Sequence, residues 1–360
     1  MPSSTAPSAR TRQQVDLALQ GGGSHGAFTW GVLDRLLEEE WLEIAGISGT
    51  SAGAMNAVAL AAGLMEGGRQ GARRVLRDFW QRVAQTSPFL PWNGAALGAV
   101  VGPVAADWVS AWLEPWKHAA QLLGQQLSPY QINPLNLNPL RDILLDTVDF
   151  ERVRHCHKTR LFVAATQVRT GALRVFDQSG LTADQVMASA CLPLLFQAVE
   201  IEGEAYWDGG YAGNPSLMPL ITDSPASDLL LVQINPIRRD AVPTRSGDIL
   251  DRINEVTFNA SLVKEMRAIA LLKQLIADEG RPGHAYRNPL FRQVEALRVH
   301  LIDGGASLAP LGAASKTTTH WAFLTQLHGL GVQAAERWLD QHGQDIGVRS
   351  SLELSGALAP

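Results

Sequence analysis

Apolar positions change their period repeatedly along the chain. Val15, Leu17 and Leu19 alternate with Asp16, Ala18 and Gln20, a period of two that predicts a strand over 15–20. Over 26–40 the spacing of Phe28, Val32, Leu36 and Leu37 fits one face of a helix. A short apolar strand follows at 44–49, and a helix of small and apolar residues at 52–64. Further strands are predicted at 161–167, 173–176 and 229–234, with helices at 182–191 and 248–278. The last of these helices stops at Gly280 with Pro282 beyond, and a late strand is expected at 294–302. Strands separated by helices predict an α/β fold, with a mostly parallel sheet covered on both faces. No repeat of 20–50 residues and no clean domain boundary is visible.

Composition narrows the picture. Of the 360 residues, 46% are hydrophobic and 18% charged, enough apolar material for a sizeable core. The formal charge of −5 leaves no electrostatic footprint for nucleic acid. Two cysteines, Cys156 and Cys191, make no disulfide framework and fit a reducing, cytoplasmic setting. Residues 1–14 lack an apolar h-region and a lipidation signature, and read as a disordered tail. Residues 83–106 carry no charge but include Pro88, Pro91 and Pro103, which argue against a spanning helix. Four of the ten tryptophans stand between Trp92 and Trp116. This stretch fits a lid or an interfacial patch touching a lipid surface through 83–116, and equally an insertion that packs against the sheet.

Candidate chemistry begins where the first strand ends. Gly21, Gly23 and Gly26 spell G-x-G-x-x-G, a spacing that can seat a dinucleotide pyrophosphate. Such a site needs an acidic residue at the end of the next strand. Here that strand is followed by "GTSAG", and the G-K-[ST] of a phosphate loop is missing too. No nucleotide cofactor is expected. Gly49-Thr50-Ser51-Ala52-Gly53 is G-x-S-x-G between strand and helix, the setting of a nucleophile elbow. Ser48 lacks the flanking spacing. An acyl carbonyl attacked by Ser51 would develop an oxyanion, and a glycine loop opening a helix presents N–H donors to such a charge.

Three stretches, "LALQGGGSHGAFTWGVLDRLLE", "ISGTSAGAMNA" and "WDGGYAGNP", resemble the patatin-like phospholipases in order and spacing, as does "MASACLPLLF" before the third. The resemblance runs from about Val15 to Leu220 and implies a three-layer α/β/α sandwich. It implies an oxyanion hole at Gly21, Gly22 and Gly23, a nucleophile at Ser51 and its partner at Asp208. His25 stands where the family has Arg or Lys, so the permanent charge is absent there; loop packing or a head-group contact are the roles left to it. By turn chemistry alone, Asp303-Gly304-Gly305 equals Asp208-Gly209-Gly210. The following "YAGNPSLMPLI" favours Asp208. Asn214 reads as a turn residue before Pro215, or as a brace for the loop. The "RHCHK" cluster at 154–158 has no second group at metal-ligand spacing, so no metal is expected. The expected organisation is a catalytic core over 15–220 with 83–127 inserted, continued by 221–360 in the same domain. The expected activity is cleavage of lipid esters through a Ser–Asp dyad. An acyltransferase or polyester depolymerase could use the same dyad. A lipid-binding protein without turnover is the alternative that intact Ser51 and Asp208 disfavour.

Overall fold

The computed structural model describes residues 10–86, 128–280 and 286–354. Eight strands form one sheet: β1 (Gln13–Leu19), β2 (Leu42–Gly49), β3 (Arg160–Gln167), β4 (Leu173–Asp177), β5 (Val199–Ile201), β6 (Glu204–Asp208), β7 (Asp228–Gln233) and β8 (Arg298–Asp303). Their order is β5-β6-β3-β2-β1-β7-β8, with β4 also on β3. The run β3-β2-β1-β7-β8 is parallel, while β4, β5 and β6 pair antiparallel. This is the mostly parallel sheet expected.

Alternation along the strands explains the three layers. On β1, Val15, Leu17 and Leu19 face one core and Ala18 the other; on β7, Leu230 and Val232 oppose Leu229 and Leu231. The first core is filled by α1 (Gly26–Leu36), α2 (Ala52–Thr86), α3 (Pro139–Thr147), α4 (Ala183–Ser189) and α6 (Trp321–His342). The second is filled chiefly by α5 (Ser246–Glu279), through Leu262, Met266 and Ile269. Helices α1 and α6 cross at a distance only glycine permits. A Cβ on Gly31 would lie 2.0 Å from His328 O, and one on Gly331 2.0 Å from Phe28 O.

Several boundaries differ from expectation. β1 begins at Gln13, inside the stretch read as a tail. α2 runs past residue 64 to Thr86, because a non-helical break at Gly67 and Gly68 redirects it rather than ending it. The segment expected to open the late strand closes a helix instead: Pro289–Ala296 is helical, capped by the Asn288 side chain, and β8 starts at Arg298. The 83–127 insertion lies, after Thr86, outside the described residues. Among the described residues no helix is long and apolar enough to cross a membrane.

Candidate active site

In a parallel sheet the carboxyl ends of the strands converge on one edge, where loops can share a site. The glycine loop follows β1, Ser51 follows β2 and Asn235 follows β7, while Asp208, at the end of the antiparallel β6, reaches the same edge by pairing with Ala165 near the carboxyl end of β3.

Ser51 sits between β2 and α2 with φ at +54°, the left-handed region. For an L residue this costs about 1–2 kcal/mol. The turn is held from several sides. Ser51 N–H donates to Ser189 Oγ at 2.9 Å, Thr50 Oγ1 to Gly213 O at 2.6 Å, and Gly53 N–H to Thr50 O at 2.8 Å. A Cβ on Gly53 would lie 2.2 Å from Leu19 O, so the second glycine of the pentapeptide is where α2 meets the end of β1. Ser48 is buried and donates to Ser216 O at 2.6 Å.

Asp208 is fully buried. Its N–H donates to Cys191 O at 2.8 Å, and its Oδ1 accepts from Gly210 N–H at 2.7 Å. Oδ2 is buried without a hydrogen-bond partner, and the Ser51 side chain is near enough to the carboxyl to favour its ionised form. Burial raises the Asp208 pKa to about 6, against the Gly210 N–H, the Ser51 side chain and Lys316, which favour the ionised form. The rival Asp303 ends β8, which β1 and β7 separate from β2.

The glycine loop is fixed by side-chain amides. Gly21 N–H donates to Asn214 Oδ1 at 2.7 Å, and Asn235 Nδ2 to Gly21 O at 2.9 Å. Asn214 is therefore the brace of the two readings, with Nδ2 anchored on Phe258 O at 3.1 Å and a cis bond to Pro215. The Gly21 N–H is thus already engaged. Among the described residues neither Gly22 nor Gly23 donates its N–H. Gly23 has φ at +58°, and a Cβ there would lie 2.3 Å from Lys316 O. His25 is buried, with Nε2 2.7 Å from Ser315 Oγ. Burial first, then Lys316, lower its pKa to about 4, so at neutral pH it is an uncharged side chain.

Next to Ser51 lies an apolar cavity of about 30 Å³, lined by residues including Gly23, Met55, Phe79, Trp80, Leu140 and Ala190. Trp80 Nε1 donates to Asn56 Oδ1 at 3.0 Å, which keeps the indole in place as one wall. Both cysteines are free and buried. Among the described residues no group of three or more His, Cys, Asp or Glu could hold a metal ion. Sequence reasoning passed over Ser189, Asn235 and Lys316, which act through contacts made only in the fold.

The family described as patatin-like phospholipase matches residues 17–221, more than half of the chain. The protein belongs to the patatin-like phospholipase family. It is accordingly an enzyme of the lipid ester hydrolase class, with the α/β fold of that family. No curated protein matches it. Among solved structures, VipD from Legionella pneumophila is 15% identical, with 89% of this chain and 67% of that chain covered at a TM-score of 0.37. ExoU of Pseudomonas aeruginosa, solved in complex with SpcU, is 14% identical, with 97% and 77% covered at a TM-score of 0.29. Superpositions this loose add nothing about fold or activity.

Proposed function

We propose that this patatin-like enzyme cleaves lipid esters, of the phospholipid or lysophospholipid type, through a Ser51–Asp208 dyad and an acyl-enzyme. One observation carries the reading. A serine held at positive φ on a strand–helix turn interacts with a buried carboxyl whose second oxygen lacks a good hydrogen bond. Strained backbone and an unsatisfied buried acceptor are both costs, and together at one spot they suit a working site better than a structural one.

The chemistry runs as follows. Ser51 Oγ attacks the ester carbonyl carbon and its proton passes to Asp208. The carbonyl oxygen becomes an oxyanion, which the N–H groups of Gly22 and Gly23 receive. Collapse breaks the bond to the leaving alcohol, which takes the proton from Asp208 and departs. Water then attacks acyl-Ser51, Asp208 again holding the proton until it returns to Ser51 Oγ as the acid leaves. An ordinary aspartate, with a pKa near 3.9, is a weak base at neutral pH; one raised to about 6 is far better matched to a serine hydroxyl. The apolar cavity beside Ser51 receives the first part of the acyl chain.

Ser51→Ala and Asp208→Asn should each abolish hydrolysis of a lysophospholipid and of a p-nitrophenyl ester, with circular dichroism unchanged. Asp303→Asn should keep most activity. A fluorophosphonate probe should label the wild type and not Ser51→Ala. Near-normal turnover by Asp208→Asn would sink the dyad.

A further inference from the structure

We propose that Lys316 is a positioning residue for the oxyanion donor at Gly22, acting through the side-chain amide of Asn235. Lys316 lies beyond the family-matched segment, on a short turn (Ala313–Thr317) that packs onto the glycine loop. The proposal rests on the reading of Gly22 and Gly23 as donors.

Lys316 Nζ donates to Asn235 Oδ1 and to Asn254 Oδ1, each at 2.7 Å, and lies 5.6 Å from the centre of the Phe258 ring. An ammonium can only donate, so it dictates which end of the Asn235 amide faces it. The oxygen must turn to Lys316, which commits Nδ2 to Gly21 O at 2.9 Å. In a trans peptide the C=O and the following N–H point in opposite directions. Holding Gly21 O toward Asn235 therefore turns the Gly22 N–H the other way, where no described residue accepts it. Asn235 is itself anchored, its N–H donating to Gln20 Oε1 at 2.7 Å. The chain of command is lysine, amide, peptide plane, donor.

The same lysine supplies charge. His25 is uncharged at neutral pH, and its partner Ser315 immediately precedes Lys316. The positive charge that the resemblance places on the loop thus comes from a distant part of the chain. Lys316 is faced by Asp251 and Glu255 on α5, by Asp208 from the end of β6 and by His25 from the loop. Glu255 is also paired with Arg239 and Arg252. Burial lowers the Lys316 pKa to about 8 against those three carboxylates, so it loses its charge just above neutrality.

The test compares Lys316→Met, Lys316→Arg and Asn235→Asp with the wild type and Ser51→Ala, on a short p-nitrophenyl ester from pH 5 to 10. Lys316→Met should lower kcat by roughly tenfold or more with KM within about twofold, as expected for a contact felt mainly in the transition state. Its acid limb should move to higher pH, because Asp208 loses a neighbouring cation. Its alkaline limb near pH 8 should vanish. Lys316→Arg, which keeps the charge but does not titrate in this range, should restore the acid limb and still lack the alkaline one. Asn235→Asp can face Lys316 but cannot donate to Gly21 O, and should lose kcat as Lys316→Met does. Unchanged kcat in Lys316→Met, or a loss that tracks only a lower melting temperature with both limbs unmoved, would overturn the assignment. If Ser51→Ala is inactive while Lys316→Met is normal, only the lysine assignment falls. If Ser51→Ala still turns over, the reading of the site falls and takes this one with it.

Discussion

A buried carboxylate is bought at the expense of stability. The folded-state pKa of Asp208 lies above its unfolded value, at about 6. Folding therefore favours its protonated form, and the cost of ionising it appears as pH rises from about 4 through 6. Asp208→Asn should accordingly melt higher than the wild type at pH 8 and nearly alike at pH 4, while losing activity; scanning calorimetry at the two pH values checks both. In the wild type, kcat should fall as pH drops below about 6, when the base takes up its proton. At this scale the sequence was only partly readable. Ser51 announces itself because the elbow constrains five consecutive residues. Asp208 and Asp303 share the same turn chemistry, and only the residues after each separated them. Ser189, Asn235 and Lys316 gave no signal, since their partners Ser51, Gly21 and Asn235 stand 138, 214 and 81 residues away and only folding brings them near. Gly23 has a double role that spacing alone hides. Its positive φ and its contact with Lys316 O mean that Gly23→Ala would disturb loop packing together with the donor.

Most strands were legible, including the five-residue β4 at Leu173–Asp177, while β5 and β6 were not. β1, β2, β3, β7 and α5 were expected within a few residues of where they lie. β5, with three residues, is too short for alternation to register, and β6 takes its place by pairing with β3. Only the last turn of the helix Pro289–Ala296 was read into the late strand, because Val294-Glu295-Ala296 alternates as a strand does, although Asn288 before Pro289 marks a helix start. α2 has the most direct bearing on substrate. It begins one residue after Ser51 and contributes Met55, Phe79 and Trp80 to the cavity wall. A volume of about 30 Å³ holds little more than one water, so the wall must yield for more than the first carbons of an acyl chain. Met55→Ala should widen it. Its kcat/KM for dodecanoyl relative to butanoyl p-nitrophenyl esters should exceed that of the wild type, and an unchanged ratio would exclude this wall from chain-length choice.

Across the whole molecule the sheet separates two kinds of polar cluster. At the carboxyl edge the polar groups are arranged around Ser51. At the opposite edge Asp228, the first residue of β7, accepts from Arg298 at 2.7 and 2.9 Å, from Gly347 N–H at 2.9 Å, and lies 3.0 Å from His300 Nε2. Burial pushes its pKa up, but His300, Arg298 and Gly347 prevail and bring it down to about 2. A carboxylate depressed in this way stabilises the fold above its unfolded pKa, and that stability is lost as pH falls from about 4 through 2. Asp228→Ala should cost about 3 kcal/mol in urea unfolding at pH 7, and much less at pH 2.5. The cluster ties β8 and the residues around Gly347 to the sheet. β7 in turn lies directly against β1, whose end carries the glycine loop. This order has a consequence for synthesis. The chain reaches Ser51 early, but β7, which flanks β1, begins 177 residues later, the Asn235 that grips the loop comes 184 residues later, and Lys316 is 265 residues behind Ser51. At about 5–20 residues per second, a ribosome needs on the order of 13–53 s to cover that distance. A nascent chain therefore carries Ser51 long before the loop beside it is braced, and the arrangement proposed to cut lipid is complete only once Lys316 has been made.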